Sequence, residues 1–432
     1  ALILKVRPAL PIDTPRALLA ISLAAGGLLT APIAVWWYRF DTAPSLPELV
    51  VGSALCVIFF LVATTVISAA LLSFSIYELQ RVPAIHQKPR GVPMAIAAVV
   101  LIALLFVPAY ADRERSTPEP MVVTTPTTRR IALIAVDGLT EELLRSRPEL
   151  TAILPFINHV GSISGSSTTE RWASLGTGVA TEFHGVRAIE GVRFRGGSHV
   201  LQRISRGDFV LMSLAPLLGI ARREPLPPTV RRRDYIWEIF AERGLPSVSV
   251  NWWATADERK GGLSAIGPES IFSAAKGDAV RVDSTATRRF VDALERQKPR
   301  FATVYLPALD VILNRVELDP ATRLGDSMRA LGGIGDTVAL ASLSGYDVVL
   351  VGMPGDQQRG SAVVASTVPL HLKTAWEVAP ALLNLLGFPA SAEMSAGLPR
   401  IASYGPRDAG SAAAANVNQE YYDNLKSLGY IR

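Results

Sequence analysis

Three long apolar stretches mark the first quarter of the chain. Residues 17–38, 49–77 and 91–111 contain no charged side chain. At a rise of 1.5 Å per residue, a helix over the shortest of them reaches about 30 Å, the thickness of the hydrocarbon core of a bilayer. Three buried core helices, or a cleaved signal peptide at the first stretch, explain this length and lack of charge less well. The pattern therefore predicts an all-α transmembrane region with three helices within residues 1–111.

The Lys and Arg residues around these stretches predict how the chain is oriented. Three precede the first stretch and three lie between the second and the third, whereas the loop between the first and the second contains only Arg39. Because basic residues accumulate on the cytoplasmic side, the N-terminus is expected in the cytoplasm and everything after residue 111 outside it. The predicted location is the cytoplasmic membrane, with the large C-terminal part in the periplasm or outside the cell. The expected partners are the lipid bilayer and other membrane-protein subunits.

The pattern changes after the third stretch. Residues 112–129 are rich in Pro, Thr and charge, which is typical of a linker. From residue 130 onwards, short apolar runs alternate with segments of helical periodicity. Strands are predicted at residues 131–136, 247–250, 302–306, 347–351 and 362–365, and helices at residues 235–243, 284–295 and 375–386.

Alternating strands and helices predict an α/β domain over residues 130–432, with a mostly parallel sheet sandwiched by helices. In such sheets, ligands bind beyond the carboxyl ends of the strands. Asp137 and Asp310 each come just after a predicted strand. They are therefore the first candidates for a functional site.

Composition excludes some classes of protein. An apolar content of 49% excludes intrinsic disorder as the main state, and the single cysteine, Cys56, excludes a disulfide framework. The formal net charge is +5 over 432 residues. The basic residues are scattered, and several flank the predicted membrane spans, so nucleic acid is not an expected partner.

Five segments of the C-terminal part follow each other in the order of a known family. They read IALIAVDGL at 131–139, TTERWASLGTGVATEFHG at 168–185, RDYIWEIFAERGLPSVSVNWWA at 233–254, YLPALDVILN at 305–314 and WEVAPALLNLLGFP at 376–389. Together they resemble the alkaline phosphatase superfamily, and within it the type I phosphodiesterase/nucleotide pyrophosphatase branch. The resemblance implies an alkaline-phosphatase-like fold and two divalent metals, usually zinc, about 4 Å apart. It also implies six Asp or His ligands and a Thr or Ser nucleophile.

Position by position, the chain keeps few of the ligands that the resemblance implies. Asp137 takes the place of the first ligand and Asp310 that of the aspartate in an Asp-x-x-x-His pair, whose histidine is replaced by Asn314. The expected Asp-His-Gly after the strand at 347–351 reads Met-Pro-Gly, and the last histidine has no counterpart. Met and Pro offer zinc no oxygen or nitrogen side-chain donor, and an Asn carbonyl is a poor one. No cofactor is expected, beyond at most one weakly bound divalent cation.

The nucleophile position is retained. Thr168 matches the threonine that the resemblance implies as nucleophile, with Thr169 as the alternative if the alignment shifts by one residue. Without two metals, the positive charge that stabilises a transferring phosphoryl group is missing. The expected function is that of a catalytically inactive, membrane-anchored protein that acts as a structural, accessory or regulatory subunit, or as a sensor of a phosphate-bearing ligand. The alternative is an active metal-dependent phosphodiesterase or headgroup phosphotransferase with Thr168 as its nucleophile.

Four further residues are weaker candidates. His184 corresponds to a His-Gly landmark that is not a metal ligand in the family, and it is a candidate for ligand binding together with Trp252 and Trp253. An aromatic pair after a strand is more often part of the packing. The other four histidines are expected at structural or surface positions, with His371 as the one candidate for a relocated ligand.

Overall fold

The structure is a computed structural model, and it divides into two compact units, Ala1–Arg115 and Ser116–Arg432. The predicted limits at residues 111 and 129 stay predictions. The structure describes residues 15–40, 46–79, 127–163, 165, 167–195, 200–202, 216–275, 278–314, 318–355, 361–407 and 419–430.

The first unit contains two helices that pack on each other. Helix α1 spans Pro15–Phe40 and α2 spans Leu46–Leu79. Gly26 lets the two approach closely, because a Cβ at this position would overlap the hydroxyl of Thr64. Among the described residues, none of the helices is both long enough and apolar enough for a membrane crossing. The three transmembrane helices remain a prediction, and the third, at 91–111, lies outside the described residues.

The second unit alternates strands and helices. The predicted helix at 375–386 is a 3₁₀ turn followed by the helix Val378–Leu385, and the other predicted elements differ from the observed ones at most at their ends. Two short 3₁₀ turns, Pro228–Val230 and Ala375–Glu377, occur as well. The strands are β1 (Ile131–Asp137), β2 (Phe156–Val160), β3 (Glu190–Phe194), β4 (Leu201–Gln202), β5 (Ala221–Pro225), β6 (Ser247–Val250), β7 (Glu258–Lys260), β8 (Leu263–Ile266), β9 (Phe301–Leu306), β10 (Asp347–Met353), β11 (Ala362–Ser366), β12 (Ala390–Ser391) and β13 (Pro399–Ile401). The helices are α3 (Glu141–Arg145), α4 (Pro148–Ile153), α5 (Thr168–Thr177), α6 (Thr181–His184), α7 (Ile236–Glu242), α8 (Pro268–Ala275), α9 (Ala279–Gln297), α10 (Ala308–Asn314), α11 (Pro320–Leu343), α12 (Val378–Leu385) and α13 (Gln419–Ser427).

The described strands form one large sheet and two small ones. The large sheet has eight strands in the order β2-β11-β10-β1-β9-β6-β8-β7. Its five central strands, from β10 to β8, run parallel, while β11, β2 and β7 pair antiparallel with their neighbours at the two edges. The small sheets are β4-β3-β5 and β12-β13.

The apolar sequence of the central strands explains their position. Strands β1, β6, β9 and β11 are buried at every residue. Since successive side chains of a strand point to opposite faces, both faces of the sheet are covered. Helix α9 packs on β9, and α11 packs on β10 and β1. The predicted α/β fold, with a mostly parallel sheet and helices packed on it, is confirmed for this unit.

Candidate functional site

The carboxyl ends of three neighbouring strands, β10, β1 and β9, meet at one edge of the sheet. Asp137 is the last residue of β1 and lies opposite Met353 at the end of β10. The next residue, Gly138, donates its N–H to the carbonyl of Met353 at 2.8 Å. Strand β9 leads into α10, which carries Asp310 in its first turn. A Cβ at Gly138 would lie 2.6 Å from the backbone nitrogen of Asp310, so the two aspartate-bearing segments are in close contact.

Asp137 is fully buried among aromatic side chains. The hydroxyl of Tyr305 donates to its Oδ2 at 3.0 Å, and the indole N–H of Trp172 faces the carboxylate without ordinary hydrogen-bond geometry. Burial, and then the neighbouring Asp310 carboxylate, raises the pKa of Asp137 well above its usual range. Arg171, Trp172 and Tyr305 act in the opposite direction. Asp137 is therefore buried between aromatic side chains and two charged groups, Asp310 and Arg171.

Asp310 and Asn314 are bonded to each other. They lie four residues apart on α10, a spacing that brings their side chains onto the same face of the helix. The amide nitrogen of Asn314 donates to Asp310 Oδ1 at 2.7 Å. The main chain at Gly355 passes against the same oxygen, because a Cβ at this glycine would overlap Asp310 Oδ1. One carboxylate oxygen of Asp310 is thus enclosed by the protein itself.

Thr168 is the first residue of α5, and it is held by an arginine of the same helix. Ser167 caps the helix by accepting the N–H of Glu170 at 3.1 Å. Arg171 donates from Nη2 to Thr168 Oγ1 at 3.0 Å. The Arg171 guanidinium also lies near enough to Asp137 to lower the pKa of that carboxyl. Arg171 therefore links the predicted nucleophile position to the carboxyl edge of β1.

Among the described residues, the donor atoms at this edge do not fit a pair of zinc ions. Asp137 and Asp310 are the only carboxylates at the matched positions, residues 353–354 offer no suitable side-chain donor, and the amide nitrogen of Asn314 faces Asp310. The positive charge of Arg171 next to Asp137 opposes the entry of a cation. In the part of the chain that the structure describes, no three His, Cys, Asp or Glu side chains are grouped to hold a metal ion. The expected lack of a cofactor stays a prediction.

His184 is fully buried, and both of its ring nitrogens are used inside the protein. Nδ1 accepts the backbone N–H of Val186 at 3.0 Å, so the proton is assigned to Nε2, which lies 2.9 Å from Ser174 Oγ. Burial, and then nearby arginines led by Arg231, lowers the pKa of His184 to about 3. The ring is therefore neutral, and both of its nitrogens are engaged within the protein; the ligand-binding role of His184 stays a prediction.

Acid is expected to destabilise the protein through His184. The unfolded chain binds a proton near pH 6.5, whereas the folded chain does so only near pH 3. The stability that this residue contributes is complete above pH 6.5 and is lost as the pH falls towards 3. From pH 7 to pH 5, the free energy of unfolding should fall about 2 kcal/mol more in the wild type than in His184→Gln. Denaturant titrations at the two pH values measure this difference, and an equal pH dependence in both proteins would contradict it.

Trp252 and Trp253 belong to the aromatic core. Trp252 donates its indole N–H to Thr303 Oγ1 at 3.0 Å and is fully buried. Both indoles are buried in the packed core, as the packing alternative expects, and their ligand-binding role stays a prediction. The rings next to Trp252 are Trp172, Tyr235, Trp237 and Tyr305, and those next to Trp253 are Phe272, Tyr305 and Tyr430.

The remaining histidines do not join the site within the described residues. His159 is exposed on β2 and pairs with Glu141. His371, the candidate for a relocated ligand, is exposed after β11. His86 and His199 lie outside the described residues.

Two residues that contact the candidate site, Arg171 and Tyr305, are not among the residues predicted from the sequence. Arg171 had a local signal, because side chains three residues apart on a helix are neighbours, and Arg171 follows Thr168 by three. Tyr305 had none. It meets Asp137 only because β9 pairs with β1, with Tyr305 opposite Ala135 in the register.

Residues 131–331 match the sequence model of the family described as Type I phosphodiesterase / nucleotide pyrophosphatase. The match confirms the predicted resemblance for this stretch, which includes Asp137, Thr168 and Asp310. No curated protein sequence matches the chain.

Solved structures that are similar to this chain share little of its sequence. Phosphonoacetate hydrolase from Sinorhizobium meliloti is 14% identical, with a TM-score of 0.37, over 52% of this chain and 56% of its own. Murine ectonucleotide pyrophosphatase/phosphodiesterase 5 is 14% identical, with a TM-score of 0.36, over the same shares. A putative sulfatase from Bacteroides thetaiotaomicron is 10% identical, with a TM-score of 0.41, over 63% of this chain and 74% of its own. This chain thus spans little more than half the length of the first two.

Proposed function

We propose that this chain is a membrane-anchored, catalytically inactive relative of phosphodiesterases that serves as an accessory or regulatory subunit of a larger membrane complex. The contact between Arg171 and Thr168 is the observation that carries the proposal. In it, the guanidinium donates a hydrogen bond of 3.0 Å to the hydroxyl at the nucleophile position. A threonine becomes a nucleophile only when a metal ion or a base takes its proton. Arginine stays protonated in proteins and cannot act as that base.

The neighbouring side chains support the same proposal. Asn314 donates to one oxygen of Asp310, and Tyr305 donates to one oxygen of Asp137. These bonds use carboxylate oxygens that metal ions would take in a working hydrolase of this kind. Internal hydrogen bonds and one fixed arginine cation thus stabilise this edge of the sheet. A framework kept in this way is suited to binding another molecule without the hydrolytic reaction.

The membrane anchor and the partner are proposed from the sequence. Three uncharged stretches and the distribution of Lys and Arg favour a chain with a cytoplasmic N-terminus and with residues 130–432 in the periplasm or outside the cell. If the large domain is anchored in the membrane and has no catalytic activity, its function is to bind other molecules. Other membrane-protein subunits are the proposed partners, and nucleic acid is not.

A second candidate is an active metal-dependent phosphodiesterase or headgroup phosphotransferase. The hydroxyl of Thr168 favours it, since Thr168 is only partly buried at the start of α5 whereas Thr169 is 3% exposed. The family match over residues 131–331 is consistent with this activity. This candidate requires a divalent cation at Asp137 and Asp310. In the structure, one oxygen of each carboxylate accepts a hydrogen bond, from Tyr305 and from Asn314, and the other oxygen of Asp137 is buried without a hydrogen-bond partner.

Metal content and turnover distinguish the two candidates. The full chain is isolated from the membrane fraction in mild detergent, incubated with excess zinc and freed of unbound metal. We expect less than one zinc ion per chain, and the same background hydrolysis of bis(4-nitrophenyl) phosphate by the wild type, Thr168→Ala and the matched control Thr169→Ala. At least one bound zinc ion per chain, with turnover that only Thr168→Ala abolishes, would favour the second candidate. Recovery of the chain in the soluble fraction after lysis would contradict the membrane anchor.

A further inference from the structure

Helix α11 exposes one long face to solvent. Its other face is buried against α9, β10 and β1, and the hydroxyls of Thr337 and Thr287 lie 2.9 Å apart across the contact with α9. The exposed face carries six residues at intervals of three and four, the spacing of side chains that share one side of a helix. We call these six residues the outer stripe: Gly325, Arg329, Gly332, Asp336, Leu340 and Leu343.

Neither the backbone conformation nor a neighbouring atom explains why α11 contains glycine at four positions. Gly325, Gly332, Gly333 and Gly335 are all helical without a positive φ, and a Cβ at any of them would meet open space. Glycine is the poorest helix former after proline. Nothing within the described chain therefore requires glycine at these positions. A second backbone that packs closely against the helix would require it.

The two leucines at the end of the outer stripe are exposed to solvent. Leu343 is 84% exposed and Leu340 is 40% exposed. The leucine side chains project from the helix, and the glycines leave space on its surface. A second helix can fill that space with its own side chains. The stripe thus has both parts of a helix-packing surface on one face.

The charges of the outer stripe complement a second copy of the same helix. Arg329 and Asp336 lie on opposite sides of the midpoint between Gly332 and Gly333, each about 5 Å away along the axis at 1.5 Å per residue. In an antiparallel pair centred on this midpoint, Arg329 of one copy reaches the level of Asp336 of the other. The same register places Leu340 of one copy over Gly325 of the other. Arg329 pairs with Asp326 on its own helix, and Asp336 has no ion pair among the described residues.

We propose that two copies of this chain associate through α11, with the outer stripes antiparallel and Gly332 and Gly333 at the crossing point. An interface with two-fold symmetry uses the same patch on both subunits, so the charge and the glycines must complement themselves. The outer stripe meets that condition. The proposed partner is a second copy of this chain, and the association does not depend on the state of the site at Asp137.

Cysteine crosslinking tests the position of the interface. In a Cys56→Ser background, full-length protein in mild detergent that carries both Gly325→Cys and Leu340→Cys should form a disulfide-linked dimer under mild oxidation, because the proposed register brings these two positions together in opposite copies. Glu295→Cys, an exposed position on α9, is the matched control and should stay largely uncrosslinked. Equal crosslinking in the two proteins, or none in the variant with Gly325→Cys and Leu340→Cys, would overturn the proposal.

Two kinds of variant test the chemistry of the interface. Arg329→Asp and Asp336→Arg should each weaken dimerisation at least tenfold in mass photometry, and the double variant should restore it. Gly332→Leu should abolish the dimer. At concentrations at which both proteins are monomeric, its unfolding midpoint should be about 2 °C above that of the wild type, because leucine favours the helix. A variant that is more stable but no longer dimerises shows that Gly332 serves the contact between copies and is not needed for folding. A dimer that survives all three single substitutions would refute the interface.

Discussion

Arg231→Met is expected to lower the free energy of unfolding by about 3–5 kcal/mol. Arg231 is 1% exposed, and its two terminal nitrogens donate to both carboxylate oxygens of Glu238 at 2.5 and 2.6 Å. Its guanidinium also stacks 4.0 Å from the centre of the Tyr235 ring. Removing the arginine leaves the Glu238 carboxylate buried without its main counter-charge, and that uncompensated charge causes the loss. Urea titration of the full chain, followed by tryptophan fluorescence, measures the change.

Two controls separate the buried pair from ion pairs in general. Arg145→Met removes an exposed pair with Glu141, four residues earlier on α3, and should cost less than about 0.5 kcal/mol. Arg231→Met combined with Glu238→Leu should recover a large part of the loss, because no buried charge remains. Arg407, 3.7 Å from Glu238, is a nearby cation that can limit the effect. A loss below 1 kcal/mol in Arg231→Met would show that the pair is not the stabilising contact that the structure indicates.

Gly138→Ala should be strongly destabilising, with an expected loss of about 2–5 kcal/mol. The backbone of Gly138 has φ of 82°, which costs a residue with a Cβ about 1–2 kcal/mol. The added Cβ would also lie 2.6 Å from the nitrogen and 2.8 Å from the Cα of Asp310. A backbone contact of this kind cannot be relieved by a change of rotamer, so α10 must move away from β1. Denaturant titration measures the stability change.

Gly345→Ala is the matched control for this prediction. Gly345 follows α11 with φ of 78°, close to that of Gly138, but a Cβ there would meet nothing within 4 Å. It should therefore cost only the backbone part, about 1–2 kcal/mol. The difference between the two variants measures the contact between Gly138 and Asp310. Equal losses would mean that α10 is free to move and that the two aspartates are not held together.

Much of the α/β unit could be predicted because its core strands are continuous apolar runs. Strand β6 has the predicted ends, and β1 extends one residue further, to Asp137. Helix α11 escaped prediction, since its glycines oppose a helix locally and only packing on α9 and the sheet stabilises it. The small sheet β4-β3-β5 escaped as well, because its short strands are rich in arginine and lack a clear apolar alternation.

The candidate site was predictable in part. The positions of Asp137 and Asp310 at the carboxyl ends of strands follow from the α/β pattern. The sequence also shows that most of the ligand residues implied by the family resemblance are replaced by other residue types. The sequence did not predict which side chains form hydrogen bonds with Asp137 and Asp310. Whether Trp252 and His184 face solvent or core depends on which elements pack around them, and the structure buries both.

The sequence by itself determined which residue types are present at each matched position, where the uncharged stretches and the core strands lie, and that two of the implied zinc ligands remain. Those properties are local, since they depend on side-chain chemistry and on the period of the backbone. Only the tertiary structure decided that Arg171 bonds Thr168 near Asp137, that Tyr305 reaches Asp137 from the next strand, and that the outer stripe of α11 is left uncovered. Contacts of this kind depend on strand order and helix packing, which are set by the burial of the whole core rather than by any one segment.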